Sequence, residues 1–274
     1  MTKIEWVARP GTKPETWNPV TGCTKISAGC RNCYAERMAR RLAGRCGYPE
    51  APHHFDVTLR PERLEEPLHW RKPRTVFVCS MSDLFHDAVP YEFIDHVIHI
   101  VAATPQHTYQ ILTKRAARME HYFAHGCFGH QGGATWGMPL ENAWLGVTTE
   151  NQEQADKRIP HLLNTPASLR FVSVEPVLGP VDMCRFLPDP SYEQIRGKYH
   201  FGLDWIIIGG ESGPGARLFK AEWALDVIEQ CQLAGVPVFM KQLGSRVAKS
   251  MGKRGKMDDP SEWVEELRIR QWPG

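Results

Sequence analysis

Six short runs of apolar and β-branched residues recur along the chain, each followed by a polar cluster. They are 75–80 (TVFVCS), 108–112 (TYQIL), 144–148 (WLGVT), 169–174 (LRFVSV), 205–209 (WIIIG) and 236–240 (VPVFM). Stretches with helical spacing fall around them at 35–42, 91–103, 115–123, 152–163 and 221–234, with Gly235 as a plausible stop for the last. A seventh strand is expected near 17–21, where the chain enters a cysteine-rich segment. Strands alternating with helices make βαβ units and a parallel sheet. The runs lack strict alternation, which fits strands buried on both faces. Six or seven such units predict an α/β fold of TIM-like type, a complete or partial parallel β/α barrel with loop insertions. A single domain over 1–274 is expected.

Three stretches break the rhythm. Residues 45–74, rich in Pro and His, read as an insertion after the first helix. Residues 124–142, containing FGHQGGATWGMP, read as a glycine-rich loop. A basic C-terminal extension, 245–274, ends in a helix-like stretch at 263–270.

A chain of 274 residues buries enough surface to fold without disulfide staples. No apolar run reaches membrane-spanning length, and MTKIEWVARPGTKPETW lacks the apolar stretch of a secretory signal. A cytoplasmic protein with reduced thiols is therefore expected, and no membrane partner. The net charge of only +2 means that any polyanion site must come from a local patch.

In a reduced chain, three cysteines within eleven residues read as metal ligands. GCTKISAGCRNCYAE has the spacing C-x6-C-x2-C, with Cys23, Cys30 and Cys33 in a loop over 22–34 that leads into a helix. The two-residue gap brings the Cys30 and Cys33 thiolates to one side of a turn, and Cys23 reaches them across a six-residue loop. A closed structural zinc site wants four protein ligands, and no fourth Cys or His follows at a familiar spacing. Three ligands with one open position suit a [4Fe–4S] cluster whose fourth iron binds a small molecule. A zinc site completed by a distant residue is the other metal reading. Cys79 and Cys231, in strand and helix patterns, read as buried structural thiols.

In parallel barrels the site is assembled from loops at the strand ends. Here the runs end in Ser80-Met81-Ser82-Asp83, Thr113-Lys114-Arg115, Thr149-Glu150-Asn151, Glu175-Pro176, Gly210-Glu211-Ser212-Gly213 and Lys241-Gln242. Loops are polar in any fold, but six clusters out of six point to one polar cavity. Ser82, Asp83, Glu150, Glu175 and Glu211 are expected to position cofactor and substrate. Lys114 and Lys241 are expected to neutralise a carboxylate or phosphate and to pair with the acids; with Glu175 they are the catalytic candidates. Glu175 and Lys241 could equally form an ion pair that closes the barrel mouth. Gly209 and Gly210 read either as a phosphate-cradling turn or as a tight strand-to-loop turn.

Over nearly its whole length the chain resembles an uncharacterised phage- and prophage-associated three-cysteine-motif family. The resemblance runs through IEW, TWNPVTGCTKISAGCRNCYAERMA, FVCSMSDLFH, LTKR, WLGVTTEN, RFVSVEP, IIGGESGPGAR and VFMKQLG. At a second remove, a three-cysteine loop on a barrel's first strand is similar to radical S-adenosylmethionine (SAM) enzymes. That similarity implies a [4Fe–4S] cluster whose open iron chelates SAM, reductive cleavage of its sulfonium, and an electron-donor protein as partner. The first cysteine gap is six residues here, against three in the commonest superfamily pattern, and Asn32 stands where that pattern has an aromatic. The resemblance implies cofactor-binding roles for Gly209, Gly210 and Glu211, or for Ser80, Ser82 and Asp83, which occupy the superfamily's second-strand position.

The alternative is a non-catalytic iron–sulfur or zinc protein that binds nucleic acid. Arg246, Lys249, Lys253, Arg254 and Lys256 form a basic run, Lys114, Arg115 and Arg118 add charge, and Trp263 and Trp272 are available for stacking. A solvated loop is the plainer reading of that run. A phage setting points to a nucleic acid or nucleotide as substrate.

Overall fold

The computed structural model describes residues 4–126, 139–188 and 202–274. Strand β1 (Lys13–Trp17) comes first, and β2 (Val20–Thr21) pairs antiparallel with β3 (Thr58–Leu59) in a small ribbon. Then follow β4 (Arg74–Val78), β5 (Thr108–Thr113), β6 (Ala143–Thr148), β7 (Leu169–Val174), β8 (Trp205–Gly209) and β9 (Val238–Gln242). With β1 they make a seven-stranded sheet in the order β1-β4-β5-β6-β7-β8-β9. The pairings β1–β4, β4–β5, β7–β8 and β8–β9 are parallel. The helices are α1 (Tyr34–Leu42), α2 (Tyr91–Ala103), α3 (Ala116–His121), α4 (Gln152–Asn164), α5 (Ala221–Leu233) and α6 (Ser245–Ser250). A doubly wound sheet reverses its strand order at a switch point; this one never does. It has the singly wound order of a β/α barrel and keeps two edge strands, as expected for a partial barrel.

The chain divides into two compact units. The first comprises residues 1–26, 33–146 and 164–168. Val76, Val78, Tyr109 and Ile111 are buried there, as are Phe93, Ile94, Val97, Ile98 and Val101 on one stripe of α2. Tyr109 lies edge-on to Trp17 at 5.9 Å between ring centroids, and its hydroxyl is 2.6 Å from Thr104 Oγ1. The second unit comprises residues 27–32, 147–163 and 169–274. Its core holds Phe171, Trp205, Ile206, Ile207 and Ile208, with Ala224, Val227, Ile228 and Cys231 of α5. Gly235, at φ +70°, follows α5 as the left-handed stop anticipated for it.

Local differences from the expected elements have physical causes. The first sheet strand is 13–17 rather than 17–21. Its sequence, KPETW, carries no apolar run, and Pro14 is tolerated because β1 is an edge. Beyond it, Asn18-Pro19 turns the chain out of the sheet and into the ribbon with β3. The insertion is ordered by that ribbon: Arg60 is buried, donates to Thr21 Oγ1 at 3.1 Å and to the Gly47 carbonyl, and lies over the Tyr48 ring. Strand β9 runs two residues further than its apolar run, so Lys241 and Gln242 end the strand instead of following it. Cys79 lies just past β4 at φ +57°, and burial pushes its thiol up to about 12. Residues 127–138 of the expected glycine-rich loop, Cys127 among them, lie outside the described residues.

The tail is not a helix over 263–270. It makes two short turns, Pro260–Glu262 and Glu265–Leu267, and then lies antiparallel along β9. The Met240 amide donates to the Ile269 carbonyl and the Gln271 amide to the Val238 carbonyl, each at 2.8 Å. The open edge of the last strand is thereby covered. Trp263 is buried with its indole N–H on the Met257 carbonyl, and Trp272 packs on Phe239. Trp263 is therefore not available to stack on a nucleic-acid base, because its ring is part of this closure. Among the described residues no helix is long and apolar enough to cross a membrane.

Candidate functional site

The cysteine loop leaves β2 at Gly22, which bridges in parallel fashion to Ser82. Gly22 has φ +82°, and a Cβ there would lie 2.1 Å from the Asp56 carbonyl oxygen, so no larger residue fits without moving the backbone. Cys23, Cys30 and Cys33 are in no disulfide, and each is partly exposed. Among the described residues no three Cys, His, Asp or Glu side chains converge on one point as a single-ion site. As a donor set, three reduced and accessible thiols, one of them beside a buried guanidinium, fit an iron–sulfur group held by thiolates.

In the first unit, Asp83 ties the ends of β4 and β5 together. Its Oδ1 accepts from the Phe85 amide at 3.0 Å and the Thr113 hydroxyl at 2.7 Å. Its Oδ2 accepts from the Lys114 amide at 3.1 Å and from Arg115 at 3.3 Å. Arg115 continues to the cysteine loop, reaching Cys23 Sγ at 3.6 Å and Thr24 Oγ1 at 2.9 Å. Burial disfavours its charge, but the carboxylate of Asp83 and the sulfur of Cys23 outweigh that and hold its pKa above the ordinary arginine value. His86 takes up Thr24 Oγ1 at 2.9 Å, and its Nδ1 accepts from the Ala88 amide. Burial, then Arg115, push its pKa below the ordinary imidazole value. Ser80 donates to Asn18 Oδ1 and Ser82 to the Val20 carbonyl, while Tyr34 donates to the Ser80 carbonyl. Both serines are therefore engaged by the segment 18–20 that leads into the loop.

In the second unit, Glu150 is fully buried and accepts the Gly29 amide of the cysteine loop at 2.8 Å. Its other oxygen takes Arg158 at 2.9 Å, whose side chain is 4 % exposed. Glu211 accepts from Asn32 Nδ2 at 2.9 Å, next in sequence to Cys33, and from the amide and Nε of Arg217 at 2.8 and 2.9 Å. Burial raises its pKa, but the bonds from Arg217 and Asn32 prevail and hold it below the usual carboxylate range. Lys241 Nζ bridges both oxygens of Glu175 at 2.7 and 2.9 Å, and Gln242 adds 3.2 Å to one of them. Gly209 and Gly210 serve close packing. A Cβ on Gly209 would lie 3.3 Å from the Glu175 carboxyl carbon, and one on Gly210 2.2 Å from the Leu243 carbonyl oxygen.

The strand-end residues thus do something the sequence did not predict. Lys114 and Lys241 were the expected partners of four acids. Only Glu175 has a lysine, Lys241; Asp83, Glu150 and Glu211 are paired with Arg115, Arg158 and Arg217. Glu150, Glu211 and the Asp83–Arg115 pair hold the cysteine loop rather than standing open. As partners of these acids, the three arginines and Asn32 were missed. Arg158 could have been found: Ala155, Ile159 and Leu162 put it on the buried stripe of α4, where a charge demands a partner.

The Glu211 bonds carry a pH dependence. Because the folded-state pKa is depressed, this stabilisation is complete above the unfolded carboxylate value of roughly 4.3 and lost as pH falls through the lower folded value. The difference in urea midpoint between the natural chain and Glu211→Gln should be full at neutral pH and shrink in acid. A constant difference would show that ionisation is not the source.

No curated protein matches the chain. Among solved structures it is similar to a point mutant of spore photoproduct lyase (14 % identity, TM-score 0.43, covering 84 % of this chain and 63 % of that one). It is also similar to spore photoproduct lyase complexed with dinucleoside spore photoproduct (11 % identity, TM-score 0.46, covering 81 % and 75 %). The chain thus spans less than two thirds of the length of the first of these. The model of one protein family matches residues 1–270, and the chain belongs to that family, described as Protein of unknown function (DUF5131).

Proposed function

We propose that this chain is a [4Fe–4S] enzyme of radical-SAM-like type that acts on a nucleic acid or nucleotide. Cys23, Cys30 and Cys33 would be the thiolate ligands. The observation that carries the reading is a loop of three reduced thiols fastened by strand-end groups. Gly29 is held on Glu150, Asn32 on Glu211, and Cys23 and Thr24 on Arg115. Loops that must present several ligands in fixed geometry need such outer support. When bound, the cluster would supply the electron that cleaves the SAM sulfonium.

The chain's own groups would do the rest. Glu175 and Lys241 sit as a part-exposed pair, able to meet an ammonium or a carboxylate of a ligand, and Lys114 would neutralise anionic charge. The exposed Arg246, Lys249, Lys253 and Arg254 support an anionic substrate. An electron-donor protein would complete the cycle.

Protein purified anaerobically should be brown, with roughly four iron and four sulfide per chain. Cys23→Ala, Cys30→Ala and Cys33→Ala should each abolish this, and Cys231→Ala should not. Reduced protein given SAM should release 5′-deoxyadenosine slowly without substrate. Colourless protein carrying one stoichiometric zinc would sink the proposal.

A further inference from the structure

Arg115 does more than pair with Asp83. Its side chain is 7 % exposed, and both terminal nitrogens turn toward the start of the cysteine loop. Nη1 donates to Asp83 Oδ2 at 3.3 Å and lies 3.6 Å from Cys23 Sγ. Nη2 donates to the Thr24 carbonyl at 3.3 Å and to Thr24 Oγ1 at 2.9 Å. The guanidinium is also anchored away from the loop. Asp83 is already fixed by Phe85, Thr113 and Lys114, and the Arg115 amide donates to Thr113 Oγ1 at 2.9 Å. The arginine is thus anchored at the ends of β4 and β5 and reaches the loop from there.

We propose that Arg115 is a positioning residue that orders Cys23 and donates a charge-assisted hydrogen bond to its sulfur, raising the reduction potential of the cluster held there. The second half rests on the reading of Cys23 as a cluster ligand. A donor to a ligating sulfur draws negative charge off the cluster and favours its reduced, more negative state. A guanidinium adds a full positive charge where little water screens it. The planar fork matters too: its two terminal nitrogens reach the sulfur and Thr24 separately, where an ammonium is a single point of charge.

Two measurements separate the parts. In the iron-free full chain, amide exchange over residues 22–25 should quicken about tenfold in Arg115→Gln, as expected when several loop bonds are lost together. In reconstituted protein, spectroscopically monitored redox titration should give a more negative midpoint for Arg115→Gln and a smaller negative shift for Arg115→Lys. If Arg115→Gln does not load iron, the Arg115→Lys midpoint decides. Unchanged exchange overturns the positioning role, and an unchanged midpoint in a loaded variant overturns the electrostatic one. A natural chain that takes up no iron would overturn the cluster reading instead, and the exchange comparison would still decide the positioning role.

Discussion

Glu150→Ala is expected to lower the stability of the chain by about 3–5 kcal/mol, most of it from stranding Arg158 as an unpaired buried charge. The pair is 2.9 Å apart, with side chains 0 % and 4 % exposed. The Thr148 carbonyl, which takes Arg158 at 2.7 Å, offers a dipole but no countercharge. A further ~1 kcal/mol comes from the Gly29 amide losing its acceptor. Against the 5–15 kcal/mol that hold a typical domain, such a loss is large. Glu150→Gln should retain the bond to Gly29 and lose the countercharge. Adding Arg158→Met should recover part of the loss, since removing both members of a buried pair costs less than removing one. Urea unfolding followed by circular dichroism measures all three variants. If Glu150→Ala falls within about 0.5 kcal/mol of the natural chain, the buried pair is not what holds this corner of the structure.

The same residue shows where sequence reasoning succeeds and where it stops. Leu169–Val174 and Trp205–Gly209 are legible as strands because burial on both faces writes itself as continuous apolar runs. Lys13–Trp17 is not, because an edge strand of Lys, Pro, Glu and Thr has no hydrophobic signature to leave. Lys241 and Gln242 were read as loop for a related reason: the strand runs on past the end of its apolar run, with a register shift that skips Lys241 and pairs Gln242 with Gly209. At the site, Asp83, Glu150, Glu175 and Glu211 stood out as acids following strands, and that placement is what the fold produces.

Their partners did not stand out, because partnership is set by tertiary approach. Asn32 and Glu211 lie 179 positions apart, and Gly29 and Glu150 lie 121 apart. No local periodicity encodes such a pairing. The expectation of one polar cavity named Lys114 and Lys241 as partners of the acids and looked no further for donors. Buried carboxylates are instead satisfied where they stand, and the nearest suitable donors were arginines and loop amides. Among these four acids Glu175 has the most exposed carboxylate, 20 % against 8 % or less for Asp83, Glu150 and Glu211, so it and its partner Lys241 are the pair best placed to meet a ligand.

Glu175→Gln is accordingly expected to behave in the opposite way to Glu150→Ala. The Glu175 and Lys241 side chains are 20 % and 16 % exposed, so Lys241 can turn to water when its partner is neutralised. The cost in stability should stay near 1 kcal/mol, within the range of part-exposed pairs. The amide retains an oxygen for Gln242, which now lies 3.2 Å from Oε1, so the end of β9 should keep its shape. On the proposed function, the iron and sulfide content of Glu175→Gln should match the natural chain, while SAM cleavage or SAM affinity falls at least about a hundredfold, the scale on which a charged contact to a ligand is felt. Lys241→Met should act in the same direction, leaving Glu175 with Gln242 alone. If the pair only closes the mouth of the barrel, both variants will lose stability and cleave SAM at the natural rate once corrected for folded protein. The decisive comparison is therefore the ratio of the activity loss to the stability loss. A ratio near that of Glu150→Ala would remove Glu175 and Lys241 from the chemistry.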